Sequence, residues 1–209
     1  GDDTIILRSY YTSSSNTSGT DTVDGGAGDD TFQNVGTGPG VATLTGGLGI
    51  DTYHVEQPDS GADADVVTDF TVGEGGDRID FGALSFDGLP GGESPFTNGY
   101  LRFEQDGDDT LFQYDRDGSG TSYGWVTLMR LEGVDATNLT RANLVQNWSP
   151  DGTGITIDDD DNGNYLYGTD DGDTILGNGG GDVVYGAGGG DDIQGGAGGD
   201  TLYGGSGAD

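Results

Sequence analysis

Aspartate recurs in this chain at a spacing that chemistry can use. Asp173, Asp182, Asp191, Asp200 and Asp209 stand nine residues apart, each closing a glycine-rich run: GTDDGD, GNGGGD, GAGGGD, GGAGGD and GGSGAD. The chain has no Cys, and His54 is its one imidazole, so these repeating carboxylates form an all-oxygen donor set. That set suits a hard cation such as Ca²⁺, which takes roughly six to eight oxygens from carboxylates and backbone carbonyls alike. The N-terminal region keeps the same register with interruptions. Asp3, Asp21, Asp30 and Asp51 occupy the equivalent position there, and Asp65 comes next in a weaker copy, SGADADVVT.

Positioning such residues takes a repeating element. Two places after each Asp stands an apolar residue: Ile175, Val184, Ile193 and Leu202 in the C-terminal region; Ile5, Val23, Phe32, Tyr53 and Val67 in the N-terminal one. Glycine reaches positive φ and turns tightly. The apolar residue with its two neighbours makes a three-residue strand whose middle side chain points inward. Two turns and two strands close one coil, so loops two units apart stack. Asp173, Asp191 and Asp209 then fall in one row, Asp182 and Asp200 in the opposite row. Stacked carboxylates repel, so the rows require a counter-charge. Asp and Gly also favour ordinary solvated turns; against that reading stands the fixed offset of Asp and apolar residue through consecutive units.

This nonapeptide pattern resembles the RTX (repeats-in-toxin) family of secreted bacterial proteins, over residues 1–68 and 159–209. The resemblance implies an all-β fold: a right-handed parallel β-roll with Ca²⁺ ions held between stacked loops. It implies that the sixth-position aspartates supply carboxylate and that loop carbonyls supply the rest. In this chain those carbonyls belong to Gly179, Gly181, Gly186, Gly188, Gly190, Gly195, Ala197 and Gly199. It also implies a secreted, extracellular location reached by a type I system, with folding on calcium binding outside the cell.

The segment 65–86, DVVTDFTVGEGGDRIDFGALSF, resembles the stretch after the repeats in many type I-secreted proteins, alginate epimerase R-modules and serralysin-like proteases among them. Asp65 and Asp69 read as a last metal site at the end of a roll, Asp77 and Asp80 as structural. Beyond them, alternating patterns predict strands at 100–104, 111–114 and 125–132, and DATNLTRANL (135–144) a short helix. The organisation expected is a first roll over 1–68, a small β-sandwich-like extension over 69–148, a linker over 149–158 and a second roll over 159–209. Both ends read as partial copies, which suits a piece of a longer chain and end-to-end self-association of rolls.

Charge and motifs narrow the function. Asp and Glu number 38 against 6 Arg and no Lys, a formal charge of −32. Low hydrophobicity with high charge is also the composition of disordered chains, and here the periodicity argues for order. Such a chain repels nucleic acid and anionic membranes, and no apolar run is long enough to span a bilayer. GTSYG (120–124) matches G-x-S-x-G with Ser122, but the only His lies upstream and no HExxH occurs. DRDGSG (115–120) and DDDNGN (159–164) echo EF-hand loops yet have Val126 and Asp170 where the bidentate Glu belongs. The chain therefore reads as a non-enzymatic, calcium-binding structural module. The alternative is a polysaccharide-binding accessory module resembling epimerase R-modules, against which the scarcity of Arg weighs.

Overall fold

The computed structural model describes residues 1–7, 20–59, 62–118, 120–146 and 148–209. Residues 8–19, where the N-terminal register is interrupted between Asp3 and Asp21, lie outside the described residues, as does Ser119 of the DRDGSG loop. The chain divides into two compact units, Gly1–Phe86 with Leu101–Gln146, and Asp87–Tyr100 with Asn147–Asp209.

In the first unit, strands form where the apolar position of each repeat predicts them. They are β1 (Thr4–Ile6), β2 (Asp21–Ala27), β3 (Thr31–Val35), β4 (Ala42–Leu48), β5 (Thr52–Val55), β6 (Asp65–Val67) and β7 (Arg78–Asp80). All pair in parallel, in two sheets that alternate along the chain: β1-β3-β5-β7 and β2-β4-β6. Because the pairing is in register, like side chains line up. Ile5, Phe32, Tyr53 and Ile79 form one line and Val23, Leu44 and Val67 the other. Phe32, Leu44, Tyr53, Val67 and Ile79 are fully buried.

The predicted extension is an antiparallel meander, β8 (Leu101–Asp106), β9 (Asp109–Tyr114) and β10 (Val126–Leu131). It continues the roll's own sheet: β10 lies parallel to β6, placing Leu131 beside Val67, and antiparallel to β9. Leu101, Phe112, Tyr114, Leu128, Met129 and Leu131 add a buried apolar layer here. The predicted helix is present as two 3₁₀ turns, Ala136–Asn138 and Arg141–Asn143. The buried Asn143 amide breaks regular helix here: it donates to Asp77 O and accepts from Gly73 N, tying the turn to the 71–77 loop.

The second unit is a regular stack. β11 (Thr156–Asp158), β13 (Thr174–Leu176) and β16 (Asp192–Gln194) form one parallel sheet. β12 (Tyr165–Tyr167), β15 (Val183–Gly188) and β18 (Thr201–Ser206) form the other, while β14 (Gly179–Gly180) pairs with β17 (Ala197–Gly198). Each coil repeats at the predicted two-unit offset, so Ile157–Ile175–Ile193 and Leu166–Val184–Leu202 are lines. The core is thin: Leu166, Ile175 and Val184 are buried, with Ile157 and Ile193 partly so. β11 lies inside the stretch expected as linker. It is a coil without its aspartate, since Ile155 occupies the sixth position and donates its N–H to Asp173 Oδ1 at 2.7 Å.

Candidate metal centres in the stacked turns

Each aspartate row is a hydrogen-bonded ladder. In the second unit one carboxylate oxygen accepts the backbone N–H of the aspartate one coil earlier. Asp191 Oδ1 takes Asp173 N (2.9 Å), Asp209 Oδ1 takes Asp191 N (3.2 Å) and Asp200 Oδ1 takes Asp182 N (3.0 Å), each 18 residues apart. The two predicted rows are therefore present. In the first unit insertions lengthen the coils, but the ladder persists. Asp30 takes Asp3 N (2.6 Å), Asp51 takes Asp30 N (2.9 Å) and Asp77 takes Asp51 N (2.9 Å), at separations of 27, 21 and 26 residues.

The second oxygen matters more. Oδ2 of Asp30, Asp51, Asp182 and Asp191 is buried and has no hydrogen-bond partner. Buried carboxylate oxygens are normally satisfied, and an orphan is costly. All four stand at the same place, beside the glycine five residues earlier. A Cβ on Gly25 would lie 2.5 Å from Asp30 Oδ2 and 2.8 Å from the carbonyl oxygen of Gly46. A Cβ on Gly177 would lie 2.8 Å from Asp182 Oδ2 and 2.7 Å from Gly195 O. Gly186 stands likewise against Asp191 Oδ2 and Gly204 O, and Gly168 against Asp173 Oδ2 and Gly186 O. The cradles at Gly25, Gly168, Gly177 and Gly186 thus pair an aspartate oxygen with a glycine carbonyl from the next coil, in space that any side chain would fill. Among the described residues no three His, Asp or Glu side chains converge on one point, so an ion held here takes its remaining oxygens from backbone or water.

The other predicted residues take these places. Gly186 and Gly195 supply cradle carbonyls. Gly179 pairs with Ala197, and Gly188 with Ser206, in the ladders of the turns. The carbonyls of Gly181, Gly190 and Gly199 face the fifth-position glycine of the preceding coil. Asp3 and Asp21 are exposed, and Asp21 stands in register with Ala42, so the next coil of its row offers a methyl group in place of a carboxylate. Asp65 and Asp69 are spent on backbone. Asp65 accepts from Ala42 N and Gly36 N, both at 2.8 Å, and Asp69 from Gly46 N and Gly47 N, both at 2.9 Å. Asp77 likewise closes its row, taking Asp51 N and Thr71 N. The cradle carbonyls of Gly46 and Gly204 had no signal of their own beyond the first position of a repeat.

Burial pushes Asp51 and Asp191 up from the usual aspartate range; a backbone N–H opposes it, and neighbouring carboxylates add to it. Burial also raises Asp65 and Asp77, against two backbone N–H donors each. The metal-free site therefore resists its own charge. Elsewhere, His54 Nδ1 lies 2.7 Å from Asp80. Ser122 lies between β9 and β10 and gives its N–H to Asp117, a strand–strand loop rather than the strand-to-helix elbow that a nucleophilic Ser requires.

No family model and no curated protein matches the chain. Among solved structures it is similar to the AlgE6R3 subunit of the Azotobacter vinelandii mannuronan C5-epimerase: 27% identity over 69% of this chain and 78% of that one, TM-score 0.34. It is also similar to the AlgE6R2 subunit of that enzyme: 21% identity over 68% and 91%, TM-score 0.33. The parallel β-solenoid itself is read from the strand registers above.

Proposed function

We propose that this chain is a Ca²⁺-binding structural β-roll module of a secreted protein, without catalysis of its own, that folds as calcium binds outside the cell. One observation carries the reading: buried, unpartnered Oδ2 atoms of Asp30, Asp51, Asp182 and Asp191, at cradles that only glycine leaves open. Asp173 Oδ2 faces the equivalent cradle at Gly168 but, unlike those four, accepts from the N–H and hydroxyl of Thr169. Asp3, Asp21, Asp200 and Asp209 are the corresponding positions in adjoining coils. A divalent cation supplies the positive charge that the chain lacks, and oxygen-only donors at a carbonyl-rich turn favour Ca²⁺ over Mg²⁺, which keeps its waters and a tighter shell. Binding to the folded state alone converts calcium concentration into stability. Low cytosolic calcium then leaves the chain unfolded for export, and millimolar calcium outside folds it.

The polysaccharide reading has less support. Of the arginines an acidic sugar would need, Arg102 is engaged with Gln113 and Glu104, and Arg130 with Asp106 and Asp109. The deciding experiment is a calcium titration of metal-free protein followed by far-ultraviolet circular dichroism, with magnesium as control. A cooperative gain of β structure with calcium alone is expected. A protein already folded in chelator, and unchanged by calcium, would refute the proposal.

A further inference from the structure

We propose that the phenol oxygen of Tyr53 is a metal ligand, paired with Asp51 in a cradle of its own at Gly46. The inference rests on reading the other cradles as Ca²⁺ sites. In four of them the aspartate Oδ2 faces a glycine carbonyl of the next coil. At Gly46 the pattern changes: the atoms nearest a Cβ placed there are Asp51 Oδ2, Tyr53 Oη at 2.8 Å and Asp51 Cγ. The next coil offers Asp69 at this point, because Leu44 pairs with Val67, and the Asp69 carboxylate is spent on Gly46 N and Gly47 N. The phenol oxygen stands where the carbonyl stands elsewhere.

Packing gives the hydroxyl no reason to exist. Tyr53 occupies the inward position that Ile5, Phe32 and Ile79 hold in the same line of coils, and its ring stacks on Phe32 at 5.0 Å and 11°. Phenylalanine would serve that stack. Instead the side chain is fully buried with Oη lacking any hydrogen-bond partner, although a buried tyrosine hydroxyl ordinarily finds one. Two buried oxygens, Asp51 Oδ2 and Tyr53 Oη, thus face one small space without bonding each other. A hard cation between them satisfies both. The phenol keeps its proton and gives a lone pair, so the site gains a neutral oxygen as the others gain a carbonyl.

The test uses the full chain and calorimetric Ca²⁺ titration. Tyr53→Phe is expected to remove one ion from the stoichiometry, or to weaken one class of site by at least tenfold, and Asp51→Asn to remove the same ion. Combining the two should add nothing further. Tyr185→Phe, in the exposed stack that Tyr167, Tyr185 and Tyr203 form on the second unit, should leave the titration unchanged. If Asp51→Asn loses an ion while Tyr53→Phe binds as the parent does, Tyr53 is a core residue only and the inference fails alone. If the parent chain takes up no calcium, both readings fail. Should Tyr53→Phe not fold, Tb³⁺-loaded crystals of the parent decide: an anomalous peak about 2.3–2.6 Å from Tyr53 Oη supports the assignment. A peak bound to Asp51 but out of reach of Oη overturns it.

Discussion

At the scale of single residues, the working atoms are the second oxygens of a few aspartates and the hydrogens of the glycines facing them. A methyl group on Gly186 would occupy the space between Asp191 Oδ2 and Gly204 O. Gly186→Ala is therefore expected to abolish one calcium site as completely as Asp191→Asn does, each raising the calcium midpoint of folding about tenfold or more, since ligand charge and cavity set Ca²⁺ affinity. Gly91, around which a Cβ meets nothing, is the control whose Ala variant should titrate normally; equal midpoints for all three proteins would contradict the cradle. Protons and calcium compete for the same fold. Asp65 and Asp77 have folded pKa values raised above the ordinary 3.8, chiefly by burial. Their contribution to the metal-free fold is complete below that value and is lost as pH rises through the raised one. Asp80 works the other way: burial opposes it, but bonds from Gly82, Gln146 and His54 hold its carboxyl below the ordinary range. Asp51 and Asp191 act in the same sense as Asp65 and Asp77, while Asp109, Asp117, Asp135, Asp151 and Asp160, also lowered by hydrogen bonds, lie where solvent screens them and weigh less. Metal-free protein should thus gain β structure on acidification from neutral pH toward about pH 4, whereas the calcium-loaded protein should not. A metal-free dichroism signal independent of pH across that range would count against this balance.

At the scale of elements, a three-residue strand cannot hold itself; it is held by the line of side chains it joins. Ile175 sits at the centre of the second unit's core with Leu166 and Val184. Ile175→Ala should cost about 2–5 kcal/mol in urea unfolding of the calcium-loaded protein. Ile193→Ala, at a partly buried position, should cost less, and equal costs would mean that the line is not a graded core. These lines were legible in the sequence because aspartate and apolar residue kept a fixed offset through GNGGGDVVY and its neighbours. The strands of the meander were legible too, from alternation alone. What escaped did so for physical reasons. β11 hides in PDGTGITID because Ile155 replaces the aspartate, and what holds the coil is a backbone N–H given to Asp173, which any residue but proline can supply. The parallel docking of β10 on β6 joins residues some sixty positions apart, a pairing that no local pattern encodes. Tyr53 looked like one more apolar residue, since the sequence shows its ring but not where its hydroxyl ends.

At the scale of the whole molecule, a formal charge of −32 on 209 residues sets the terms. Monovalent salt screens repulsion between exposed carboxylates but leaves buried ones largely unscreened, so sodium should not replace calcium in folding the chain. The two units meet this charge with different means. The first buries aromatic and aliphatic side chains from roll and meander together, including Phe32, Tyr53, Phe112, Tyr114, Leu128 and Met129. Among the described residues the roll of the second buries the apolar side chains of Leu166, Ile175 and Val184, with Asp171, Asp173, Asp182 and Asp191 buried among its turns. Hydrophobic burial does not depend on metal, whereas carboxylate rows do. Chelation should therefore act on the units unequally. Amide hydrogen exchange in excess chelator is expected to show rapid exchange through β11–β18, while amides of β9 and β10 stay protected for longer, because local opening follows the least stabilised part of a structure. Restoring calcium should return protection to the second unit within the same titration range as the gain in β structure. Simultaneous loss of protection in both units would mean that the meander's apolar layer adds no stability of its own, and that calcium carries the first unit as fully as the second.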